Sequence, residues 1–494
     1  MPRADPATKQ GSISIPRADQ PSKEREKQFS QTIINTLDHM SQGGIYDQLG
    51  GGFCRYATDQ KWLVPHFEKM LSDNALLAMV YAESYARIGV EDHARICRET
   101  LDYVLREMRS PDGSFYTSQD ADTQGVEGLY YTFTKKELDE LLPPDQAALF
   151  CAAYGITEEG NFQGRNILSR ISSSITHQEK PALPAGLREK VFQYRRSRMT
   201  LGRDDKILIS WNGLMIWSLA RCHALLSANK KSAGQSSADQ GTVTDQETQT
   251  YLEAAEKAAA WILDHLTDST MHLRAGYPDG TAGIPGKLDD YIFLIKGLIE
   301  LYRITLTLRW LEGAVRLSEV LLSEFFDENH GGFYAYGIHD EKLLVRKKEA
   351  FDGGTPSGNS LALSILYDLF HYSGQIRFRQ AWTKQIAYMK SAVNRYPAGS
   401  CLTMEALLKA QRPAREILCA GSKKTITRQN QDLLTGLFSS DTDYILIKTE
   451  DHAETLSRIA PFTKEIPIPE NGALYYRCQN GTCSLPVQNP TELV

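Results

Sequence analysis

Carboxylates, a histidine and tryptophans cluster beside glycine-rich turns in this chain, so their grouping is the first clue to chemistry. In "GGIYDQLGGGFCRYATDQKWLVPHFEKMLSDN", residues 43–74, Asp47, Arg55, Trp62, His66, Glu68, Asp73 and Asn74 fall within one short stretch. Pro65 reads as the first residue of a helix, a position that proline favours. His66 would then sit in the first turn, beside unpaired amides and the positive dipole end, which favours the neutral ring a general base needs. His66, Lys69 and Asp73 would share one helical stripe at i, i+3 and i+7 and converge on one cavity. The competing reading makes His66 and Glu68 decoration of a helix start, with Asn74 bonding a neighbouring loop.

Further carboxylates lie in turns and at helix starts. "SQDADTQGVEG" supplies Asp120, Asp122 and Glu127; "GKLDDY" supplies Asp289 and Asp290; "KKEAFDGGTPSGNS" supplies Glu349 and Asp352. Such groups bind sugar hydroxyls, act as acid and base, or hold a metal. Helix capping competes in each case, by Asp289 or Asp290 and by Ser357 or Asn359. The spacing in "DADTQGVEG" is not that of a calcium loop, so no metal is expected. Trp62 and Trp211, the latter in "SWNGLMI" beside Asn212, could stack on sugar faces, although Trp211 at a helix start also suits a core. Cys478 and Cys483 in "CQNGTC" read as a redox pair or as two thiols in a turn. No G-x-S-x-G, H-E-x-x-H, Walker or dinucleotide motif occurs, so no cofactor is expected.

The elements that must carry these residues are mostly helical. The chain has 494 residues, 41% hydrophobic and 23% charged, with a net charge of −6. That is an ordinary globular balance, without the basic stripe of a nucleic-acid or membrane-surface binder. No apolar run reaches the roughly 18 residues of a transmembrane helix. The first residues lack a secretory core, and eight scattered cysteines suit reduced intracellular thiols, so the cytoplasm is the expected compartment. Nine segments between residues 25 and 396, among them "NALLAMVYAESYARIG" and "LDDYIFLIKGLIELYRIT", carry apolar residues at helical spacing. Four turn-plus-aromatic stretches, "GGGFCRY", "DGSFYTS", "MHLRAGYPDG" and "HGGFYAYG", interrupt them as short β-excursions. Two helices plus one excursion form the repeat, and such hairpins bury their faces only by stacking. The expected organisation is an unstructured segment 1–24, a helical array over 25–412 with a polar loop at 229–249, and a small α/β unit over 413–494.

The motifs "GGIYDQLGGGF-RY", "W-VPHFEKML-DN", "DAD-GVEG", "DDKIL-SWNGLMI", "IPG-LDDY", "FDG--PSGNS" and "YYRCQNGTCSLPV", in that order, resemble the spermatogenesis-associated protein 20 family. The resemblance runs from about residue 30 to the end. It implies a mainly α fold, a six-hairpin (α/α) toroid related to N-acylglucosamine 2-epimerases and several glycosidases, and a sugar-like pocket. The family's thioredoxin-like domain and the toroid's first helices have no counterpart here, which implies a ring that could be open, with apolar helix faces covered by a partner chain. Cys54 stands where the family motif has His, and Ser72 where it has Tyr.

These readings converge on a carbohydrate-active or carbohydrate-binding protein with a small-molecule sugar as ligand. The expected catalytic groups are His66, Asp120, Asp122, Asp289 and Asp290. The expected substrate-binding groups are Asp47, Arg55, Trp62, Glu68, Asp73, Asn74, Trp211, Asn212, Asp352 and Asn359. An epimerase-like reaction needs a second base, for which His272 and His330 lack motif support; a hydrolase-like one needs two carboxylates about 5 to 10 Å apart. The alternatives are a non-catalytic regulatory or scaffold protein that keeps the cavity, and thiol redox chemistry at Cys478 and Cys483.

Overall fold

The structure, a computed structural model, describes residues 22–171, 183–232, 245–274, 276, 283–341, 344–479 and 481–493. Most of the expected unstructured segment, up to residue 21, lies outside the described residues, as does 233–244 of the expected polar loop. The rest of that loop is helical on both sides.

The first helix, α1 (Lys23–Gln42), precedes a hairpin of α2 (Leu71–Ile88) and α3 (Glu91–Tyr103). An inserted lobe follows, with α4 (Lys135–Leu141), α5 (Pro144–Tyr154) and α6 (Leu187–Arg198). Three more hairpins pair α7 (Ile209–Ser232) with α8 (Asp245–His265), α9 (Leu288–Thr305) with α10 (Leu308–Glu324), and α11 (Gly358–Ser373) with α12 (Ile376–Arg395). Helix α13 (Cys401–Ala410) closes the series. Helices α2, α7, α9, α11 and α13 lie side by side in that order, and α3, α8, α10 and α12 back them on the outside. Burial follows this arrangement. Every residue of α9 from Asp290 to Tyr302 is buried, whereas α12 buries only the stripe Phe378, Ala381, Gln385 and Met389. Helices α7 and α9 touch through glycines: a Cβ on Gly213 would stand 2.5 Å from the Leu294 amide nitrogen. Residues of α1, α2, α7, α9, α11 and α13 all line one central cavity. The fold is therefore mainly α, an (α/α) toroid, of which the described residues supply four complete hairpins flanked by α1 and α13.

The inserted lobe was not foreseen. Its helices are short and α6 is rich in arginine, so no long apolar period announces them; they close on a separate core around Phe133, Leu138, Phe150, Val191 and Phe192.

The excursions between outer and inner helices are built to one plan. Single antiparallel bridges, Tyr46 with Phe53, Arg109 with Phe115, Thr267 with Leu273 and Phe326 with Phe333, close each turn. An asparagine in the first turn of the next inner helix then grips the aromatic residue's backbone. Asn74 Oδ1 accepts from Phe53 N–H at 2.7 Å, and its Nδ2 donates to Phe53 O at 3.0 Å and Met70 O at 2.9 Å. Asn212 does the same to Phe115 at 2.8 and 2.9 Å, and Asn359 to Phe333 at 2.7 and 2.9 Å. In the remaining excursion the Tyr291 hydroxyl accepts from Leu273 N–H at 2.9 Å. An amide is suited to this because it donates and accepts in one plane, satisfying both backbone groups of a buried residue.

Short strands pin the first two excursions together: β1 (Tyr56–Ala57) on β2 (Pro65–His66), and β3 (Lys69–Met70), β4 (Ser118–Gln119) and β7 (Arg203–Asp204) in one sheet, with a hairpin of β5 (Asp122–Thr123) and β6 (Val126–Glu127). The helix expected from Pro65 is thus corrected: the chain stays extended through Met70 and α2 begins at Leu71. The physical reason is pairing. Arg55 N–H donates to Glu68 O, Leu71 N–H to Thr117 O, and proline's fixed φ suits an extended strand as well as a helix start.

The C-terminal unit has the expected α/β form. Strands β8 (Arg415–Gly421) and β9 (Asp443–Lys448) run parallel around α14 (Arg428–Leu437), α15 (Ala453–Ile459) follows, and β10 (Ala473–Gln479) and β11 (Thr482–Cys483) complete the order β11-β10-β8-β9. It seats on the ring through Tyr302 Oη, which donates to Ile445 O at 2.9 Å, and through His371 against Glu416 at 2.7 Å.

Replacing Asn74 or Asn359 by Ala leaves a buried phenylalanine backbone pair unsatisfied, so each is expected to lower unfolding free energy by about 3 kcal/mol. Urea denaturation of the single variants measures this. A loss below about 1 kcal/mol for both would mean that the clamp does not hold the excursions.

Candidate functional site at the excursion end

All the inner helices point their N-termini to the end that carries the excursions, and most of the sequence-derived candidates gather there in two kinds of place. The first is framework. Asp47 is buried; its Oδ2 lies 2.8 Å from Lys69 Nζ, and Arg195 grips both oxygens at 2.8 and 2.7 Å. Burial alone would raise this carboxyl, but Arg195 and Lys69 hold it well below the usual range. Its Oδ1 also accepts from the Leu49 and Gly50 amides, so Asp47 organises the "YDQLGGGF" turn. Gly51 and Gly52 adopt φ of 75° and 78°, and a Cβ on Gly51 would meet Glu99 O at 2.3 Å. The glycines are there for close approach to α3. Asn74, Asn212 and Asn359 are the backbone clamps described above. Asp290 Oδ1 accepts from Ser210 N–H at 3.0 Å and Oδ2 from Lys287 N–H at 2.8 Å, joining the starts of α7 and α9; burial pushes its carboxyl up to about 6. Asp352 takes Ser357 N–H at 3.0 Å and Leu402 N–H at 3.1 Å, joining the starts of α11 and α13. Trp211 is half-buried against the main core.

The second place is a mouth cavity of about 630 Å³, whose wall includes Cys54, Arg55, Tyr56, Trp62, Asp73 and Gly354. Asp59 shapes one side, its carboxylate accepting from the amides of Leu63 at 3.2 Å and Val64. The resulting turn puts Trp62 at φ 59°, a left-handed backbone that an aromatic residue rarely adopts. Asp73 Oδ2 is buried with no hydrogen-bond partner among the described residues. Burial pushes its carboxyl up to about 6; Arg55 opposes the rise and Glu68 adds to it. Burial likewise sets the Cys54 thiol at about 12, so it is an unreactive neutral group in the wall. Asp289, at the start of α9, is exposed; loss of hydration around its carboxyl, then Asp290 and Glu349, push it up to about 6.

His66 stands behind this cavity and not in its wall. Its Nδ1 lies 2.8 Å from Glu127 Oε1 and its Nε2 3.6 Å from Glu68, which in turn meets Arg55 at 3.3 Å. The neighbouring ring is Tyr56, stacked at 5.3 Å. Asp120 and Asp122 are exposed, the latter paired with Glu127 in the β5–β6 hairpin. The structure thus brings Arg55, Trp62 and Asp73 together, ties Glu68 and His66 to them through Arg55, and leaves Asp120 and Asp122 outside. His272 meets Glu324 at 2.8 Å, and His330 is exposed near Asp327. Cys478 and Cys483 face each other across β10 and β11 and are disulfide-bonded, so two of the eight cysteines are not free thiols. Among the described residues no group of three or more His, Cys, Asp or Glu is placed to hold a metal ion, and no helix is long and apolar enough to cross a membrane.

Lys69 and Arg195 were missed as partners of Asp47. For Lys69 a signal was present: "DQLGGGF" at 47–53 and "DENHGGF" at 327–333 have the same spacing, each with a lysine just over twenty residues after its aspartate. In the second copy Lys348 again donates to the aspartate, at 2.7 Å, and to Gly331 O at 2.7 Å.

Helix ring, excursion end and mouth cavity together define an (α/α)-toroid protein with an acid-bearing mouth. Along 94% of its length the chain is homologous to spermatogenesis-associated protein 20. It is 30% identical to the human protein over 509 residues and 30% identical to the mouse protein over the same length. It spans 62% of those relatives' own length. No family model matches the chain. Among solved structures, cellobiose 2-epimerase from Spirochaeta thermophila superposes over 78% of this chain and 71% of its own, at 12% identity and a TM-score of 0.40. A glycoside hydrolase family 76 mannosidase from Bacteroides thetaiotaomicron does so over 75% and 72%, at 10% identity and 0.39.

Two outcomes follow from this geometry. Asp47→Ala strands two buried cations and is expected to lower stability by about 3–5 kcal/mol in urea titrations; a variant as stable as the parent would refute the framework role. For Asp73 the folded carboxyl is raised, so its stabilising contribution is complete below about pH 4 and is lost as pH climbs through about 6. Asp73→Asn, neutral at every pH, is expected to exceed the parent at pH 7.5 by about 1–2 kcal/mol after allowance for partial exposure, and to match it at pH 4. Melting curves at the two pH values check the sign.

Proposed function

We propose that the mouth cavity binds a carbohydrate and that Asp73 is its acid. The supporting observation is a buried carboxyl oxygen without a partner, beside the aromatic faces of Trp62 and Tyr56 and the guanidinium of Arg55. Aromatic rings stack on the apolar faces of sugars, and Arg with carboxylate groups hydrogen-bonds their hydroxyls. A carboxyl ionising near 6 is partly protonated in neutral solution, so it can donate a hydrogen bond or a proton to a sugar oxygen. Asp289 has a similar ionisation but does not line the mouth, so Asp73 is the acid this reading rests on. His66, paired with Glu127 and Glu68, acts in this reading by orienting Glu68 and Arg55 and not by touching substrate. The role is then one in carbohydrate metabolism. Six free cysteines favour the cytoplasm, and the Cys478–Cys483 disulfide counts against a reducing compartment. The scaffold reading draws on α1, whose Phe29 and Ile33 are exposed and available to a partner chain.

Titration calorimetry against mono- and disaccharides tests the proposal. Saturable binding that falls at least 10-fold in both Trp62→Ala and Asp73→Asn is expected. Absence of binding to any saccharide would abandon the sugar reading for the scaffold one, and binding indifferent to both substitutions would remove the mouth as the site.

A further inference from the structure

Beneath the mouth, the ring holds a second cavity of about 620 Å³, adjoining the first at Leu76 and open to solvent where the exposed Ile33 and Val80 line it. Its walls are largely apolar, with Leu76 and Met79 of α2, Trp217 of α7, Leu361 of α11, and Leu402 and Ala406 of α13, while Glu83, Ser84 and Arg87 of α2, Ser364 of α11 and Glu405 of α13 also line it. Its floor is charged. Lys296, only 7% exposed, extends from α9, and its Nζ lies 3.8 Å from Asp368 Oδ2 and 4.0 Å from Glu300 Oε2. Those are ion-pair distances and too long for hydrogen bonds; the ammonium donates none among the described residues. Asp368 Oδ2 and Glu300 Oε1 are buried and accept none, the nearest cation to the latter being Arg221 Nη1 at 3.7 Å.

The Lys296 ammonium faces the Trp217 ring at 5.3 Å, and buried carboxylate lone pairs left open cost free energy when dry, so this floor calls for a donor beside them. A hydroxyl meets the geometry, because it donates to a carboxylate and accepts from an ammonium at once. Charge selects against ionic heads: Arg87, Arg221, Lys296, Arg303 and Lys409 line the space together with Glu83, Glu300, Glu405 and Asp441, and Asp368 lies behind the wall against Lys296 and Lys409. A second anion would face Glu300, and a second cation Lys296 and Arg221. Above the floor, the apolar part of the wall is supplied by four helices, α2, α7, α11 and α13.

We infer that the ring cavity is a binding site for a neutral amphiphile with a hydroxylated head, the head against Lys296 and Glu300 and the apolar body along Leu76, Met79 and Leu402. The site is separate from the mouth and does not depend on the carbohydrate reading given to it.

The test is titration calorimetry with octyl β-D-glucopyranoside below its micellar concentration. Methyl β-D-glucopyranoside supplies the head alone, and octanoate the tail with an anionic head. Saturable one-to-one binding of the octyl glucoside is expected, at least 10-fold tighter than either control. Lys296→Met is expected to weaken it at least 10-fold. Ser364→Phe, which adds bulk to the cavity from α11 and leaves the charges intact, is expected to abolish it and carries the test should Lys296→Met fail to fold. Asp73→Asn is expected to leave it unchanged. No saturable binding, octanoate binding as tightly as the glucoside, or binding that survives both cavity variants would overturn the inference. Binding lost in Asp73→Asn but retained in Lys296→Met would place the amphiphile in the mouth, rejecting this site while leaving the mouth reading standing.

Discussion

The asparagine clamp on the excursion backbone is the constraint on which the ring depends. Each excursion turns sharply at the end of an outer helix, buries an aromatic residue, and must present that residue's N–H and C=O to something other than water. Asn74, Asn212 and Asn359 meet that need from the first turn of the following helix, fixing where the inner helix begins relative to the turn. Gln385 extends the device in the α11 hairpin, donating to Asn359 Oδ1 at 3.0 Å and accepting from Gly332 N–H at 3.0 Å. Tyr291 makes half of the same contact, and the Gly286 N–H supplies the other half by donating to Leu273 O at 2.7 Å.

The buried ion clusters are the second tier of the same architecture. Asp47 with Lys69 and Asp327 with Lys348 each tie the turn to a residue well downstream, and each lysine also donates to the carbonyl of the glycine in the turn. A carboxylate that must accept two turn amides and one or two cations has no lone pair left for substrate. That is why Asp47, the most conspicuous acid in the glycine-rich stretch, is structural, while Asp73, twenty-six residues on and less conspicuous, keeps a free oxygen.

How much of this could be read from the chain depends on the range of the interaction. The period of the long helices exposed the hairpin array, and the strand-helix-strand alternation exposed the C-terminal unit, because both are local patterns. Pro65 misled because proline's φ is common to a helix start and an extended strand; what decided was pairing with Tyr56 and with the segment at 118, which no local pattern carries. The reading of Asn74 as bonding a neighbouring loop anticipated its clamp, and the capping alternative for Asp290 anticipated its contact with Lys287, yet neither partner could be told from position alone. Arg195, 148 residues from Asp47, lay in a lobe whose helices were too short to be seen. The mouth was legible as a set of residue types, and the ring cavity was not, since Lys296 and Glu300 sit in a helix that otherwise reads as pure core.

That last contrast says something about the inner helices. A helix buried on all sides, as α9 is from Asp290 to Tyr302, has every reason to be apolar, and polar side chains within it are destabilising unless matched. Lys296 and Glu300 are one turn apart on α9, facing Arg221 of α7 and Asp368 of α11, so three adjacent inner helices contribute to one charge cluster. Well-packed apolar residues of equal volume would hold the same helices together at least as firmly. Helix packing therefore does not account for the charges. What charges do that apolar side chains cannot is keep a space inside the ring polar enough to receive a hydroxyl or water, with the walls above it left largely apolar.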